Sequence, residues 1–395
     1  MSANVFPEKL WLETPLIYSS HISSKLGCSA YLKLENLQPS QSFKFRGLSH
    51  FAQHAKAQHG PSVHLLAASG GNAGVAVALA AHALGVRCTI YLPEGVGREI
   101  HDILKMHGAN VIAAGKRYSE ALQKLLEDMK KDSSAVLVPA YDDPLVWEGH
   151  SSMITEIKTQ LAKKPDAIFC SVGGGGLLGG VIQGCKQTGW EDVPVVALGT
   201  HGANCFYHSV SLNTWNSTSA STDPVDIVAV AENAPYDVVL DPEHDVTITH
   251  LRELTSRASS LAATSPSAGV VKLAIERPGG VKCVCVPDEM SMWAARTFAE
   301  DHKFLVELAC STTLTAAYNC DLFSHLVTDA PTTVSGASSS ELNKAKREKT
   351  VVFIVCGGIK VSLDEMTEYR TLEAAIEADR EWEVACNGER IRVKK

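Results

Sequence analysis

Short runs rich in β-branched residues alternate with longer runs of helical periodicity along most of this 395-residue chain. The predicted strands are residues 63–68, 87–92, 110–114, 135–139, 167–172, 193–198, 281–286 and 350–355. The predicted helices are residues 73–84, 97–107, 119–131, 146–161, 177–187, 290–301 and 312–323. Such alternation is typical of parallel sheets covered by helices on both faces, which predicts an α/β fold. Several predicted strands are apolar throughout, as expected when both faces of a sheet are buried.

Two segments and the tail depart from this alternation. Residues 213–222 are rich in Ser, Thr and Asn and open an irregular stretch that runs to about residue 249. Residues 332–349 begin as a Thr/Ser/Gly run and end in charges, which is typical of an exposed loop. The charged tail is predicted to be helical around residues 373–383, as a packing or dimer helix. The sequence assigns no role to three regions, which are residues 205–249, residues 331–349 and the tail.

Composition restricts the class of protein. The formal net charge of −8 argues against a nucleic-acid-binding surface, which needs a basic face to neutralise phosphates. The chain start lacks the apolar core of a signal peptide, and no apolar run approaches the ~20 residues of a membrane span. The eleven cysteines include no C-x-x-C pair, and cysteines and histidines never fall at metal-ligand spacing. We therefore expect a cytoplasmic protein with reduced thiols, no metal site, and neither nucleic acid nor membrane as partner.

Three glycine-containing turns follow predicted strands. They are Ser69-Gly70-Gly71-Asn72-Ala73-Gly74, Gly173-Gly174-Gly175-Gly176 and Cys356-Gly357-Gly358. The carboxyl ends of strands are where ligands bind in parallel α/β sheets, and glycine lets main-chain N–H groups approach an anion closely. Four consecutive glycines cost backbone entropy at each position. The tetraglycine turn, residues 173–176, is therefore predicted to hold an anion.

The tetraglycine turn also begins a G-x-G-x-x-G pattern that ends at Gly179, so a nicotinamide-dependent dehydrogenase must be considered. That fold requires an acidic residue at the end of the next strand, where it binds the ribose. Here the predicted strand 193–198 ends in Gly199-Thr200-His201, and Glu191 and Asp192 precede it. The dinucleotide interpretation fails this requirement, and a monophosphate fits the turn better.

Lys44 is flanked by Phe43 and Phe45, after a Pro/Ser turn and at the start of a predicted helix. Apolar surroundings lower the pKa of a lysine and free its amine to act as a nucleophile or base. A lone lysine between aromatic residues is, however, more often a surface side chain whose stem packs against them. The residues around Lys44 leave both interpretations open.

Taken together in this order, the motifs of the chain resemble those of the pyridoxal-phosphate-dependent L-serine/L-threonine dehydratases of the tryptophan-synthase-β-like fold (fold type II). The resemblance is carried by the Lys44 stretch 39–47 and the three glycine turns. Supporting stretches are Thr14-Pro15-Leu16, Tyr31-Leu32-Lys33-Leu34-Glu35, residues 142–150 and Glu307-Leu308-Ala309-Cys310. The resemblance covers most of residues 10–358, except the two irregular segments.

The resemblance implies a role for each residue of these motifs. Lys44 would hold the cofactor as a Schiff base, with Phe43 against the pyridine ring and Cys356 opposite its nitrogen. Asn72 would hydrogen-bond the 3′-oxygen of the cofactor. Its phosphate would be bound by Gly173, Gly174, Gly175 and Gly176. The substrate carboxylate would be bound by Ser69, Gly71, Asn72 and Ala73.

The implied reaction is an α,β-elimination that converts L-serine to pyruvate and ammonia, and L-threonine to 2-oxobutanoate. Lys44 and Ser69 would be its catalytic residues, with Lys44 as the base that takes the α-proton and the cofactor phosphate as proton donor to the leaving hydroxyl. A thiol at Cys356 does not stabilise a protonated pyridine nitrogen, which suits elimination better than transamination.

Three alternatives remain open. The first is a β-replacement enzyme of the cysteine-synthase kind, although those carry a Lys-Asp-Arg pattern and this chain has Lys44-Phe45-Arg46-Gly47. The second is a dehydratase for another β-hydroxy amino acid, and the third is a cofactor-binding protein that has lost turnover. Substrate preference and stereochemistry do not follow from the sequence.

The chain also departs from the family pattern. Gly199 stands where relatives carry a glutamate beside a bound monovalent cation, which weighs against a K+ site, although main-chain carbonyls of residues 199–203 could supply ligands. Ile359-Lys360 replace the Ser-Asn of mammalian-type enzymes and bring a charge close to the nitrogen end of the cofactor. Leu308 replaces a proline.

The expected architecture has two doubly wound α/β domains with open, mainly parallel sheets. Residues 1–46 and 140–395 would form the large cofactor-binding domain, and residues 47–139 the small domain that grips the substrate carboxylate. The cofactor would lie in the cleft between them, where closure excludes water. The resemblance also implies a homodimer.

Overall fold

The computed structural model describes residues 9–214, 234–327, 348–375 and 380–395. The strands are β1 (Leu16–Tyr18), β2 (Ser29–Leu34), β3 (His64–Ala68), β4 (Arg87–Leu92), β5 (Asn110–Ala113), β6 (Ala135–Leu137), β7 (Ala167–Ser171), β8 (Val195–Thr200), β9 (Tyr236–Asp241), β10 (Val246–Leu251), β11 (Val281–Val286), β12 (Thr350–Val355), β13 (Glu381–Cys386) and β14 (Glu389–Lys394). The helices are α1 (Ser20–Leu26), α2 (Lys44–His59), α3 (Asn72–Leu84), α4 (Arg98–Met106), α5 (Tyr118–Met129), α6 (Pro144–Gln160), α7 (Gly176–Thr188), α8 (Cys205–Asn213), α9 (Ala268–Glu276), α10 (Asp288–His302), α11 (Leu308–Tyr318), α12 (Cys320–Leu326) and α13 (Leu363–Ala375).

The large sheet has eight strands in the order β1-β2-β12-β7-β8-β11-β13-β14. Its middle strands, from β2 to β11, pair in parallel, whereas the edge strands pair antiparallel. Every residue of β7, β8 and β12 is buried, because helices cover both faces of the sheet. Phe169 and Phe353 are register partners on adjacent strands, and their rings stack with centroids 4.5 Å apart. The predicted mainly parallel α/β fold is confirmed.

The small sheet has four parallel strands in the order β5-β4-β3-β6. Leu65 of β3 and Ile90 of β4 share a core with Phe45 of α2 and Val77 of α3. All four strands lie within the predicted small domain, residues 47–139. Its first boundary falls inside α2, however, and the division of the chain into two domains stays a prediction.

The tail differs from its prediction. Helix α13 ends at Ala375, and the last residues form the hairpin β13–β14, which extends the large sheet at β11. In β13 the apolar Trp382 and Val384 are buried while alternating with exposed glutamates, which is the period of a strand rather than a helix. The turn is Asn387-Gly388, both with positive φ, a sequence that favours tight hairpins. The prediction of a helix through residue 383 is therefore wrong.

Two further predictions need correction within the described residues. The predicted helix 312–323 is two helices, because Asn319 ends α11 and caps α12 by accepting a hydrogen bond from the Leu322 N–H at 2.8 Å. The predicted irregular stretch, from residue 213 to about residue 249, contains β9 and the start of its hairpin partner β10. The rest of it, residues 215–233, and residues 332–347 of the predicted loop lie outside the described residues. None of the helices in the described part of the chain has the length and apolar character to span a membrane.

Candidate active site

The three glycine turns meet around one cavity of about 410 Å³. It lies where β3, β7 and β12 end, so the carboxyl ends of strands from both sheets contribute to it. All residues of the predicted site line this cavity, and they are Phe43, Lys44, Ser69, Gly71, Asn72, Ala73, Gly173, Gly174, Gly175, Gly176 and Cys356. The roles that the resemblance implies for these residues stay predictions.

Lys44 is the first residue of α2, and its amine lies in the cavity wall. Nζ donates a hydrogen bond to the Ala140 carbonyl at 3.1 Å and lies 5.2 Å from the centroid of the Phe43 ring. Burial lowers the pKa of Lys44 to about 8, against the opposing charges of Glu307 and Cys356. The amine is therefore available as a nucleophile or base nearer to neutral pH than that of an exposed lysine.

The loop before Lys44 is held by the turn after β12. The Phe43 N–H donates to the Cys356 carbonyl at 2.9 Å, and the Gly358 N–H donates to the Gln41 carbonyl at 2.8 Å. A Cβ on Gly357 would lie 2.2 Å from the Gln41 carbonyl oxygen, and its φ is +76°, so only glycine fits there. This contact fixes Lys44 relative to the Cys356 end of the cavity.

A buried ion cluster, which we define as Lys33, Glu35, Arg46 and Glu156, anchors the first turn of α2. The Arg46 guanidinium contacts carboxylate oxygens of Glu35 and Glu156 at 2.7 Å each. Lys33 Nζ contacts the same Glu156 oxygen at 2.7 Å. Burial alone would lower the pKa of Arg46, but the two carboxylates raise it overall. Because its charges are paired and hydrogen-bonded, the cluster holds Arg46, and with it Lys44, in one position.

The tetraglycine turn connects β7 to α7, and its last glycine is the first residue of that helix. A Cβ on Gly173 would lie 2.6 Å from the Leu261 carbonyl oxygen, and one on Gly174 would lie 2.6 Å from the Tyr141 ring. Gly175 has φ +105°, which disfavours other residues. The main chain can therefore approach a ligand closely, and the first turn of α7 leaves N–H groups without intrahelical acceptors.

The turn after β3 holds Ser69 and Asn72 at the start of α3. The Gly71 N–H donates to Ser69 Oγ at 3.3 Å. Asn72 Nδ2 donates to Glu307 Oε1 at 2.9 Å and to Ser260 Oγ at 3.1 Å. Its Oδ1 accepts the Ile359 N–H at 2.9 Å. Asn72 therefore lines the cavity, but its side-chain amide is already hydrogen-bonded to other groups of the protein.

Cys356 lines the cavity beside the last residue of β7. Its Sγ lies 3.5 Å from Ser171 Oγ, and the next amide, that of Gly357, donates to Cys310 Sγ at 3.3 Å. Burial raises the pKa of the Cys310 thiol well above its ordinary value. The side chains of the described residues in contact with the Cys356 thiol are thus the Ser171 hydroxyl and the Cys310 thiol.

The donor set fits a phosphorylated aldehyde with an aromatic ring. A desolvated amine is suited to an aldehyde, the glycine turn at the start of α7 to a phosphate, and the Phe43 ring to a flat heterocycle. The cavity volume lies within the usual range of small-molecule sites. Among the described residues there is no group of three His, Cys, Asp or Glu side chains placed to hold a metal ion.

Sequence reasoning missed several contributors to the cavity. Glu307 is the one carboxylate among the described residues that line it, and burial raises its pKa. Tyr141 packs against the tetraglycine turn, and Ser260 contacts Asn72. Glu307 begins the Glu-Leu-Ala-Cys stretch, so its motif was visible although its contacts were not. Tyr141 and Ser260 gave no signal in the sequence.

The chain matches the family described as "Pyridoxal-phosphate dependent enzyme" over residues 8–335, so it belongs to that family. It is 35% identical to "L-serine dehydratase/L-threonine deaminase" of Homo sapiens over 359 residues, which is 91% of this chain and 94% of that protein. The Bos taurus protein of that name is 36% identical over 90% of this chain and 94% of its own length.

Solved structures agree with this family assignment. An L-serine ammonia-lyase from Rhizomucor miehei has a TM-score of 0.72 and 30% identity, covering 92% of this chain and 99% of that chain. Threonine deaminase isoform 2 from Solanum lycopersicum has a TM-score of 0.71 and 23% identity, covering 93% of this chain and 84% of that chain. The latter is similar in fold.

Proposed function

We propose that this enzyme is an L-serine ammonia-lyase that also acts on L-threonine, giving pyruvate or 2-oxobutanoate and ammonia. The observation that carries the proposal is the desolvated amine of Lys44, which shares one cavity with the tetraglycine turn, the Ser69 turn and Cys356. The names of the relatives that match most of the chain support the same reaction.

Pyridoxal phosphate supplies, when bound, an electron sink for negative charge at the substrate α-carbon. Lys44 would hold its aldehyde end, and the N–H groups at the start of α7 would hold its phosphate. Phe43 and Cys356 would contact its ring. Asn72 would contact its 3′-oxygen only if one of its present partners, Ser260 or Glu307, released the amide.

Lys44 is proposed to take the α-proton. With a pKa of about 8, a useful fraction of this amine is neutral near neutral pH and can accept a proton. Ser69, together with the N–H groups of Gly71, Asn72 and Ala73, would bind the substrate carboxylate at the start of α3. The carboxylate-binding turn and the proton-accepting amine would then line the same cavity.

Elimination is favoured over transamination because no carboxylate contacts Cys356 in the described part of the chain. Without a negative partner, a ring nitrogen placed there would stay unprotonated and the electron sink would be weaker. That arrangement favours loss of the β-hydroxyl in close succession to loss of the α-proton.

The test is a steady-state assay of the purified holoenzyme with L-serine, L-threonine and their D-isomers. We expect pyruvate and ammonia from L-serine, 2-oxobutanoate and ammonia from L-threonine, and little product from the D-isomers. Adding a thiol acceptor should leave pyruvate formation unchanged. If a thioether amino acid formed in its place, the enzyme would be a β-replacement enzyme of the cysteine-synthase type.

We further propose that the enzyme is a cytoplasmic homodimer. All eleven cysteines are free thiols, and nine of them are buried, which suits a reducing compartment. Dimerisation rests on the family resemblance, and light scattering on the purified holoenzyme would measure it. A K+ requirement is not expected with Gly199 in place of a carboxylate, so activity in K+ and in tetramethylammonium buffers should agree.

A further inference from the structure

Lys360 is a second lysine, besides Lys44, that lines the candidate active-site cavity. It follows Cys356-Gly357-Gly358-Ile359, and its Nζ donates to Ser259 Oγ at 3.2 Å. No described residue offers a carboxylate oxygen within ion-pair distance of this amine. Lys360 is half-buried, and its contact with Ser259 faces solvent.

The main chain on both sides of this lysine is fastened to the start of α3. The Ile359 N–H donates to Asn72 Oδ1 at 2.9 Å, and the Lys360 N–H donates to Glu307 Oε2 at 3.3 Å. Glu307 in turn accepts a hydrogen bond from Asn72 Nδ2. These bonds join the turn after β12 to the turn after β3 and fix the direction from which Lys360 reaches the cavity.

The side chain of Lys360 crosses directly over Gly71. A Cβ on Gly71 would lie 2.8 Å from Lys360 Cε and 3.2 Å from Nζ, so a larger residue at position 71 would displace the amine. Gly71 caps α3, whose first N–H groups form the positive end of the helix dipole. An ammonium next to that end is repelled unless an anion lies between them.

The charges lining the cavity also favour an anion at this position. Among the described lining residues the ionisable cations are Lys44 and Lys360, and the one carboxylate is Glu307. Glu307 accepts hydrogen bonds from Asn72 Nδ2 and from the Lys360 main-chain N–H rather than from the Lys360 amine. The tetraglycine turn, which is proposed to hold the phosphate, leads into α7 rather than α3, so an anion at Lys360 would be a second one.

We propose that Lys360 Nζ binds the α-carboxylate of the amino-acid substrate, opposite the N–H groups at the start of α3. This inference rests on the proposed function, since it takes a β-hydroxy amino acid as the substrate. It adds a charged hydrogen bond to the neutral donors of Ser69, Gly71, Asn72 and Ala73. Lys360 is thus a substrate-binding residue.

The experiment compares wild type with Lys360→Met and Lys360→Arg on L-serine and on L-serinamide, which lacks the carboxylate charge. We expect Lys360→Met to lower kcat/KM for L-serine about 10- to 100-fold, as for loss of a charged hydrogen bond. Turnover of L-serinamide should change less than about threefold, and Lys360→Arg should retain most of the activity on L-serine. The matched control is Lys186→Met, an exposed lysine at the far end of α7.

A binding measurement separates this inference from the proposed function. Calorimetry with L-alanine and L-alaninamide needs no turnover, and Lys360→Met should weaken L-alanine alone. If wild type binds L-alanine but does not deaminate serine or threonine, the proposed function fails while the binding comparison still decides the role of Lys360.

Three results would overturn the assignment. They are an equal loss for L-serine and L-serinamide, unchanged or increased activity of Lys360→Met on L-serine, and, with 3-hydroxyaspartate assayed as an additional substrate, a loss confined to that dicarboxylate. The last result would place Lys360 at a side-chain carboxylate instead. In wild type, failure to bind L-alanine more tightly than L-alaninamide would also contradict it.

Discussion

Lys44 and Arg46 are two residues apart at the start of α2, yet they belong to groups of charges that are balanced in different ways. Arg46 lies in the buried ion cluster, where two cations face two carboxylates and the closest contacts are 2.7 Å. Lys44 lies in the cavity, whose described lining has a second lysine, Lys360, and a single carboxylate, Glu307.

The difference separates a stabilising arrangement from a binding one. In the buried ion cluster every charge is paired within the cluster, so none is available to bind a ligand. Breaking any pair would leave a buried ion without a partner. The cavity leaves its amines without carboxylate partners and therefore attracts anions. Substitutions at these neighbouring positions should consequently affect different properties of the enzyme.

The largest effect is expected for Lys44→Ala, which removes the amine and leaves the ion cluster intact. Turnover of L-serine should fall by at least about 10⁴-fold, because both cofactor attachment and proton abstraction depend on this amine. The thermal midpoint of the cofactor-free protein should not fall, since a desolvated ammonium is removed. A variant with visible cofactor absorbance and activity within about tenfold of wild type would contradict the assignment of Lys44.

Arg46→Met is expected to act on stability instead. It leaves Glu35 and Glu156 buried with fewer partners, which should lower the free energy of unfolding by about 3–5 kcal/mol in urea titrations. The control is Arg390→Met, which breaks the 3.0 Å pair with Glu383 at an arginine whose side chain is 82% exposed. That change should cost less than about 1 kcal/mol. Equal effects of the two substitutions would show that the cluster adds no more than a surface pair.

Gly173→Ala sharpens the comparison at the phosphate end of the cavity. The new Cβ would lie 2.6 Å from the Leu261 carbonyl oxygen, so the turn must shift, and overpacking of this kind costs about 1–3 kcal/mol. We expect about 5- to 100-fold weaker pyridoxal phosphate binding, measured by equilibrium dialysis. Gly189→Ala is the control, because it also places alanine in a turn, at φ +73°, but remote from the cavity. It should lower stability without changing cofactor affinity, and equal loss of affinity would point to general destabilisation.

Much of the fold was predictable because the central strands are short, continuous apolar runs. The predicted bounds of β4, β11 and β12 match the observed ones. The C-terminal hairpin was missed although its signals were present, namely the alternation of Trp382 and Val384 with glutamates and the turn Asn387-Gly388. There the high content of charged residues suggested a helix, whereas the period of two determined the structure.

Only the parts of the site that lie in local sequence motifs were predictable. Lys44 and the glycine turns follow strands whose ends must meet in a parallel fold, so their convergence could be expected. The pairing of Arg46 with Glu156, 110 residues away, depends on how α2 packs against α6. The position of Lys360 over Gly71 likewise depends on tertiary packing. No spacing in the sequence encodes such contacts.

The pH dependence of cofactor attachment probes the environment of Lys44 most finely. An amine reacts with an aldehyde only in its neutral form, and a pKa lowered to about 8 brings that form to lower pH. The rate at which cofactor-free enzyme takes up pyridoxal phosphate should therefore rise about fivefold from pH 7 to 8 and level off above pH 9, whereas an unperturbed lysine would still gain about tenfold per unit.

Glu307→Gln should move the midpoint to lower pH, because the Glu307 charge raises the pKa of Lys44. Nα-acetyl-lysine in solution corrects for titration of the cofactor itself. A rate that keeps rising tenfold per unit through pH 9 would mean that Lys44 is solvated like a surface lysine, and the contrast with the closed ion cluster would be lost.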